Sequence, residues 1–581
     1  MAPSIARVLP DVTGLDKAFD YSVPAALAGR LVVGCVVRVP LHGRRVGGWV
    51  LELDPAGETI GPDRLRPIAL FSSLGPDADV IDLAGWASVR WAAGRLRPFL
   101  VAASPARNVG GLPRAARSAG PTTGAVSALA IAALASGGGV LRLPPNDDVV
   151  PTILAACRLG PTLVVVPSAE RAATVAARLR RAGLGVAMMP NEWARAAGGV
   201  DVVIGARAAA WAPCPGLAAA VVVDEHDDGL QEERAPTWHA RDVVLERARR
   251  AGAPALLTSP APTVAGLAAA GQRMSRPHVE DDRASWPIVE VVDRTRDEPW
   301  KTSLVTSPLI KYLRDAGRTV VCVHNTPGRA RILACRGCRS LARCERCAAA
   351  VGLDDDARLV CRRCAMVRPV VCAVCGAGAF ANLRPGVTRV REELEAAAGR
   401  PVVAVTGKDD GAPAAAGIYV GTEAVLHRID RAEVVAFLDL DTELLAPRYR
   451  AHEQAMALLV RGARLLGPRA AGGRLLVQTF LPRHEVVQAA LLADPGRLGE
   501  PELARRRLLG LPPFAALATV SGAGSEAVAA ALRAQPGIEV GGSANDYVVR
   551  AADWEVLGRA LNAAPRPKGS RVRVAVDPPR H

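Results

Sequence analysis

Eight of the chain's cysteines fall in four pairs of identical spacing: Cys335 with Cys338, Cys344 with Cys347, Cys361 with Cys364, and Cys372 with Cys375. Each Cys-x-x-Cys turn presents two thiolates to one ion, and four thiolates complete a tetrahedral shell, so four neighbouring turns specify two metal centres. Protein fills every ligand position, which marks the ions as structural Zn²⁺, because hydrolysis needs an open position for water. An iron–sulfur cluster is the competing metal, and redox chemistry is disfavoured by the crowding of four pairs. Cys35, Cys157, Cys214 and Cys322 stand alone in apolar runs and read as core thiols. The opening MAPSIARVLPDVTG has no basic stretch followed by an apolar run. The expectation is a cytoplasmic protein whose reduced thiols are available to metal. Residues 118–141 carry no charge, but Thr122, Thr123, Ser127 and the glycines at 137–139 argue against a membrane span.

A chain of 581 residues exceeds what one core organises, so three or four units are expected. Residues 1–105 alternate β-rich runs (LVVGCVVRVP, VGGWVLEL) with turns and end in a helical stretch, VIDLAGWASVRWAAGRL. The Gly, Pro, Ser and Arg-rich segment 106–124 reads as a linker. From 125 to 285, apolar β-branched runs (TLVVVP, VDVVIG, AAAVVVDE, APALLTS) alternate with helical stretches, the pattern of a buried parallel sheet. A second such series (RTVVCVH, GIYVGT, VVAFLDLD, GRLLVQTF) occupies 286–484 and is interrupted by the cysteine block at 335–375. Residues 485–581 read as a smaller αβ domain. The fold class is α/β multidomain: a β-rich N-terminal domain, two α/β lobes with a two-zinc insertion in the second, and a small C-terminal domain.

Net charge is +15 with a pI near 9.7, a field that concentrates polyanions such as nucleic acid. Arginine supplies nearly all of it, since the only lysines are Lys17, Lys301, Lys311, Lys408 and Lys568. Arg336, Arg339, Arg343, Arg346, Arg358, Arg362, Arg363 and Arg368 thread the cysteine block as cations for phosphates or an acidic partner.

Four features in order, Ala18-Phe19-Asp20-Tyr21, the V-V-V-D-E-H run at 221–226, the cysteine block and Leu511-Pro512-Pro513-Phe514, make the chain resemble the PriA family of replication-restart proteins. The resemblance implies an N-terminal 3′-end-binding domain, two RecA-like superfamily-2 helicase lobes and a C-terminal domain. It implies recognition of stalled or abandoned forks and single-stranded DNA, and help in reloading the replisome. Implied partners are other primosome components, single-strand-binding protein and the machinery that loads the replicative helicase, with no membrane. It also implies that Cys335, Cys338, Cys372 and Cys375 hold one zinc and Cys344, Cys347, Cys361 and Cys364 the second. Phe19, Asp20, Gly34 and Arg66 match the positions that cup a terminal nucleotide, where an aromatic face stacks a base and a carboxylate accepts the 3′-hydroxyl proton.

The departures are as specific as the matches. Where a G-x-x-x-x-G-K-[ST] loop should wrap phosphates, this chain has VLRLPPNDDVVPT, with two prolines that lack N–H donors and with Asp147 and Asp148 to repel phosphate. No lysine occurs between Lys17 and Lys301 to replace the missing one. Asp224 and Glu225 keep the place of the Mg²⁺-binding and water-orienting carboxylates as a degenerate Walker B pair. The family's Q-V-x-G-R-A-G-R is LVRGARLLG here, so its two arginine positions become Ala463 and Leu466, with Arg461 and Arg464 as neighbours. The family's winged-helix domain before the first lobe is expected to be missing or reduced, since only a few tens of residues stand there. Gly205-Ala206-Arg207, Gly421-Thr422-Glu423 and the Trp238-His239 segment match further family stretches. The expectation is a fork-binding scaffold without ATP hydrolysis. Its rivals are an active ATP-dependent 3′–5′ helicase with an unorthodox nucleotide site, and a zinc-dependent protein-interaction scaffold.

Overall fold

The computed structural model describes residues 4–56, 64–118, 124–297, 303–325, 333–354, 358–361, 364, 366–382, 387–405, 417–543, 545–567 and 569–579. At the N-terminus, an antiparallel five-stranded sheet runs in the order Phe19–Ser22, Ile5–Pro10, Arg44–Leu53, Val36–Leu41, Leu70–Ser73. It curls until Ser22 bridges Pro67, and Val8, Tyr21, Val37, Val39 and Val50 fill its inside. Two helices follow, Ala78–Arg90 and Arg97–Ala103, the first capped by the Asp77 side chain accepting from Val80 N at 2.9 Å. Their aromatic residues tie the domain to the first lobe: Trp91 lies 6.5 Å from Phe99, Phe99 5.2 Å from Trp211, and Trp211 5.7 Å from Trp238.

The stretch read as a linker is docked along its described part, 106–118. Leu74 N donates to the Val109 carbonyl, Ala116 bridges Val200, and Ser118 Oγ donates to Asp201 at 2.8 Å. Its backbone groups find partners on the N-terminal domain and on the first lobe, and a Gly- and Pro-rich composition does not reveal that.

The first lobe is a seven-stranded sheet in the order Met274–Ser275, Gly138–Arg142, Ala255–Ser259, Ala219–Val222, Thr162–Val165, Val202–Gly205, Val186–Met188, with every pairing parallel. The second is a six-stranded parallel sheet ordered Ile288–Asp293, Arg474–Thr479, Val434–Phe437, Val320–Val323, Ile418–Gly421, Val403–Val405. Helices cover both faces, so the central strands are largely apolar, with Thr162, Thr258, Ser259, Gln478 and Thr479 as buried polar exceptions. The cysteine module leaves the second lobe after Val320–Val323 and returns before the helix Val387–Ala398.

The C-terminal unit is a four-stranded antiparallel sheet with helices Ser525–Arg533 and Trp554–Ala563 packed against it. It closes back on the N-terminal helix, where a Cβ on Gly558 would stand 1.8 Å from the Val89 carbonyl oxygen and Arg90 lies 3.7 Å from the Trp554 ring centroid. The chain's two ends therefore share one core with the first lobe. No described helix is long and apolar enough to cross a membrane.

Candidate functional site

The cysteine module folds from two small pieces of sheet, Leu333–Cys335 paired with Phe380–Asn382, and the set Val351–Leu353, Leu359–Cys361, Val367–Arg368. These bring Cys335, Cys338, Cys372 and Cys375 into one group and Cys344, Cys347, Cys361 and Cys364 into another, with all four Sγ atoms of each within 4.8 Å of one another. Cys335 Sγ is 3.5 Å from Cys375 Sγ, and Cys344 Sγ is 3.4 Å from Cys364 Sγ. A tetrahedral thiolate shell around a metal has an Sγ–Sγ edge of about 3.8 Å, so both groups fit one ion each. The first pair joins the last and the middle two join each other, as the resemblance implied. Around the outer centre, Gly337 N donates to Cys335 Sγ at 3.3 Å and Ser340 Oγ lies 3.0 Å from Cys338 Sγ, contacts that orient the sulfurs. Of the module's arginines, Arg343 and Arg346 line a cleft of about 1530 Å³ toward the second lobe and the C-terminal sheet. Arg358 is held by Asp354 and Arg368 by Glu345, while Arg362 and Arg363 lie outside the described residues.

Between the lobes, the strand Gly138–Arg142 still leads through a loop into the helix Val150–Cys157. The helix start is occupied from within. Asp148 Oδ1 accepts from Val150 N at 3.0 Å and from Arg178 Nη1 at 2.7 Å, so a carboxylate of the chain itself sits at the helix start. Ala463 and Leu466 are buried in the second lobe's core. The alternate stripe of the same helix, Ala451–Leu466, turns Arg461 and Arg464 to the seam. Arg464 Nη2 donates to Asp224 Oδ1 at 2.5 Å and its Nε to the Pro145 carbonyl at 2.9 Å, while Arg461 Nη2 donates to Asp227 Oδ2 at 3.0 Å. Burial alone would raise the Asp224 pKa, but Arg464 and then His226 outweigh it and bring it down to about 2. The carboxylate therefore stays charged across the physiological range.

Glu225 faces the other way. Its oxygens accept from Thr263 N at 2.6 Å, Thr263 Oγ1 at 2.8 Å and Arg241 Nη1 at 3.2 Å, and its side chain is 0% exposed. Arg241 also pairs with Asp242 at 2.9 Å, and Asp242 with Arg90 of the N-terminal helix at 3.2 Å. A buried row of charge thus runs from the first domain to Glu225. Arg90, Arg241 and Asp242 carry no motif that a sequence could have offered. Trp238 belongs to the aromatic chain, and His239 caps its helix by accepting from Arg241 N at 3.1 Å. Arg207 is bound within the lobe to the Gln231 carbonyl and Glu232. In the Gly421-Thr422-Glu423 stretch, Glu423 N donates to Asn325 Oδ1.

Two buried histidines, His226 and His239, and the half-buried His484 are held neutral well below the usual imidazole range. Burial is the main cause in each, bringing His226 to about 4, His239 to about 3 and His484 to about 4. A folded-state pKa below the unfolded value of about 6.5 means that the unfolded chain takes up protons first. Stability is then complete above pH 6.5 and falls as pH drops toward 4. The expected result is a melting temperature flat from pH 8 to 7 that declines below pH 6.5, with His226→Gln weakening the decline; a flat profile down to pH 4 would contradict it.

In the N-terminal sheet, Phe19 and Asp20 sit on the edge strand, half-buried, with Lys17 Nζ 5.6 Å from the Phe19 ring centroid. Asp20 already takes Arg7 Nε at 2.9 Å. Arg66 is exposed beside this edge, its carbonyl accepting from Ser22 N. Gly34 lies three strands along the sheet and is buried; φ is 91° and a Cβ would stand 1.6 Å from the Pro76 carbonyl oxygen, so loop packing by itself requires glycine there.

Comparison with known proteins bears on the same parts. The family profile for the 3'DNA-binding domain (3'BD) of PriA matches residues 7–98. The "Probable replication restart protein PriA" of Mycobacterium bovis is 30% identical over 584 residues, covering 88% of this chain and 85% of its own length. Its Mycobacterium leprae counterpart is 31% identical over 569 residues, covering 88% and 86%. The "Replication restart protein PriA" of Bacillus subtilis is 27% identical over 362 residues, covering 58% of this chain and 45% of that protein. Among solved structures, a DEAD box protein from Methanococcus jannaschii matches with TM-score 0.29 and 10% identity, covering 64% of this chain and 86% of that one. With a likeness running through the N-terminal sheet, both parallel lobes and the module that gathers eight cysteines into two fours, this chain belongs to the PriA family of replication restart proteins.

Proposed function

We propose that the chain binds abandoned forks and single-stranded DNA and supports replisome reloading without turning over ATP. The observation that carries this reading is the seam between the lobes. Asp148 caps the helix that would hold phosphates, and Arg464 and Arg461 neutralise Asp224 and Asp227. A nucleotide entering there would have to displace ion pairs that the chain makes with itself, and no lysine could replace their charge. Glu225, locked onto Thr263 and Arg241, has no free oxygen to orient a water.

The two cysteine groups act as structural zinc centres in this reading, and the partition is 1–105 for the DNA-end domain, 125–285 and 286–484 for the lobes, and 485–581 for the C-terminal domain. Phe19, Asp20 and Arg66 form the end-binding edge, with Asp20 exchanging Arg7 for a 3′-hydroxyl. The cleft lined by Arg343, Arg346, Arg448, Arg461, Arg505 and Arg550 is lined as well by Asp228, Glu345, Glu423, Glu443, Glu485 and Asp546, so its charge is balanced and DNA binding is assigned to the N-terminal domain. Partner proteins of the primosome would meet the zinc module, whose Val371 and Val374 are exposed.

The test is steady-state ATP hydrolysis with and without forked DNA, alongside fork binding. Binding with no turnover is expected, and Glu225→Gln then changes nothing in the assay. Robust DNA-stimulated turnover abolished by Glu225→Gln would falsify the reading and restore an active helicase.

A further inference from the structure

On the outer face of the N-terminal sheet, a group of cations has no internal partner. Strands Val36–Leu41 and Arg44–Leu53 pair with Arg38 opposite Gly47 and Pro40 opposite Arg45. They are joined through His42 and Gly43, both at positive φ (47° and 78°), a two-residue hairpin turn. Val37 and Val39 point into the core, so strand alternation places Arg38 and Arg45 together on the solvent face. As diagonal neighbours their Cα atoms are roughly 7 Å apart, close to the separation of successive phosphates along a DNA strand. Arg38, Arg44 and Arg45 are exposed, and among the described residues none has a side-chain ion pair or hydrogen bond. Asp11, which borders Gly47, is already paired with Arg97 at 2.7 Å.

Gly47 supplies an independent sign. Glycine inside a strand weakens it and calls for a reason. Packing gives one for Gly48, whose added Cβ would stand 2.7 Å from Val8 Cγ1. At Gly47 an added Cβ would meet only the Asp11 Cβ, at 3.9 Å, so nothing in the fold requires glycine there. Bare backbone between two unpaired arginines leaves a flat shelf on which another molecule's backbone can lie. Leu70, across from Arg38 and 57% exposed, borders it. No aromatic side chain is among the exposed large apolar residues described, so the shelf has no platform for stacking unpaired bases. Cations and flat backbone suit phosphates instead.

We propose that the face formed by Arg38, Arg45 and Gly47, with Arg44 at the hairpin tip, carries the phosphate backbone of a duplex DNA arm. This rests on the DNA-binding reading of the same domain and adds a contact separate from the edge at Phe19 and Asp20.

The experiment measures fluorescence anisotropy of the full-length, metal-loaded protein with a forked duplex and with an oligothymidylate, over a range of salt concentrations. Arg38→Ala/Arg45→Ala should lower affinity for the fork about 10-fold and reduce the slope of log K against log salt by about 2, one unit for each lost phosphate contact. The oligothymidylate should be bound nearly as before. Gly47→Leu, which the open surroundings accommodate, should weaken fork binding while leaving the melting temperature unchanged or raised. Wild type that binds the fork while both variants keep its affinity and slope would overturn the placement alone. Equal losses on fork and oligothymidylate would overturn the duplex assignment, and wild type that binds no fork would overturn the parent reading with it.

Discussion

Replacing Cys361 with serine should lower the metal content of the purified protein from two ions per chain to one and unfold the half of the module built on Cys344, Cys347, Cys361 and Cys364. The reason is size. The module's own core contains few buried apolar side chains besides thiols, Leu333, Ala342, Ala349, Val351 and Leu359, too few to hold three short strands without a staple. A structural zinc supplies roughly 10–16 kcal/mol of apparent binding energy to such peptides, so the ion and the fold are lost together. The other group shares no cysteine with this one and should keep its ion. Because Ala350 N donates to the Leu445 carbonyl at 2.8 Å, the loss also detaches the wall of the cleft that carries Arg343 and Arg346. Atomic emission after gel filtration reads the stoichiometry. Two ions retained by the variant would contradict the grouping, and visible absorbance with stoichiometric iron would replace zinc by a cluster.

Substituting leucine for Arg241 should destabilise the first lobe by about 3–5 kcal/mol, the usual cost of leaving a buried carboxylate without its cation. Glu225 would then keep only Thr263, and Asp242 would keep Arg90 without Arg241. Burial already raises the Glu225 pKa against the pull of Arg241, so removing the guanidinium drives the side chain toward its neutral form. Adding Glu225→Leu to the same variant should recover a large part of the loss, because an apolar pair replaces an orphaned charge. Denaturant midpoints of the wild type, both single variants and the double variant close that cycle. Additive effects, with no recovery in the double variant, would mean that Glu225 is not held by Arg241 and is available for chemistry.

Much of the architecture was legible because a fully buried parallel strand leaves the same trace wherever it occurs. The runs at Thr162–Val165, Ala219–Val222, Val320–Val323 and Val434–Phe437 are largely apolar on both faces, and each became a central strand. Less was legible at the candidate sites. Gly34 matched an end-binding position, yet its conformation answers to Pro76. The segment 106–118 had the composition of a free linker and is docked, because hydrogen bonds to Asp201 and the Gly199 carbonyl depend on what lies beside it.

By itself the sequence determined the number of four-thiol sites able to hold a metal, since eight thiols in four equal turns admit two tetrahedral shells, and it determined that the first lobe has no lysine for a phosphate. It also determined the family, through motifs that are local in the chain. The tertiary structure alone decided which charges meet. Arg464 and Asp224 are 240 residues apart and pair only because two lobes close on each other, and Glu225 turns from the seam because Arg241 and Thr263 hold it. Periodicity reports whether a side chain is buried, but the identity of its partner depends on the direction in which separate elements pack, and that is set by the whole fold.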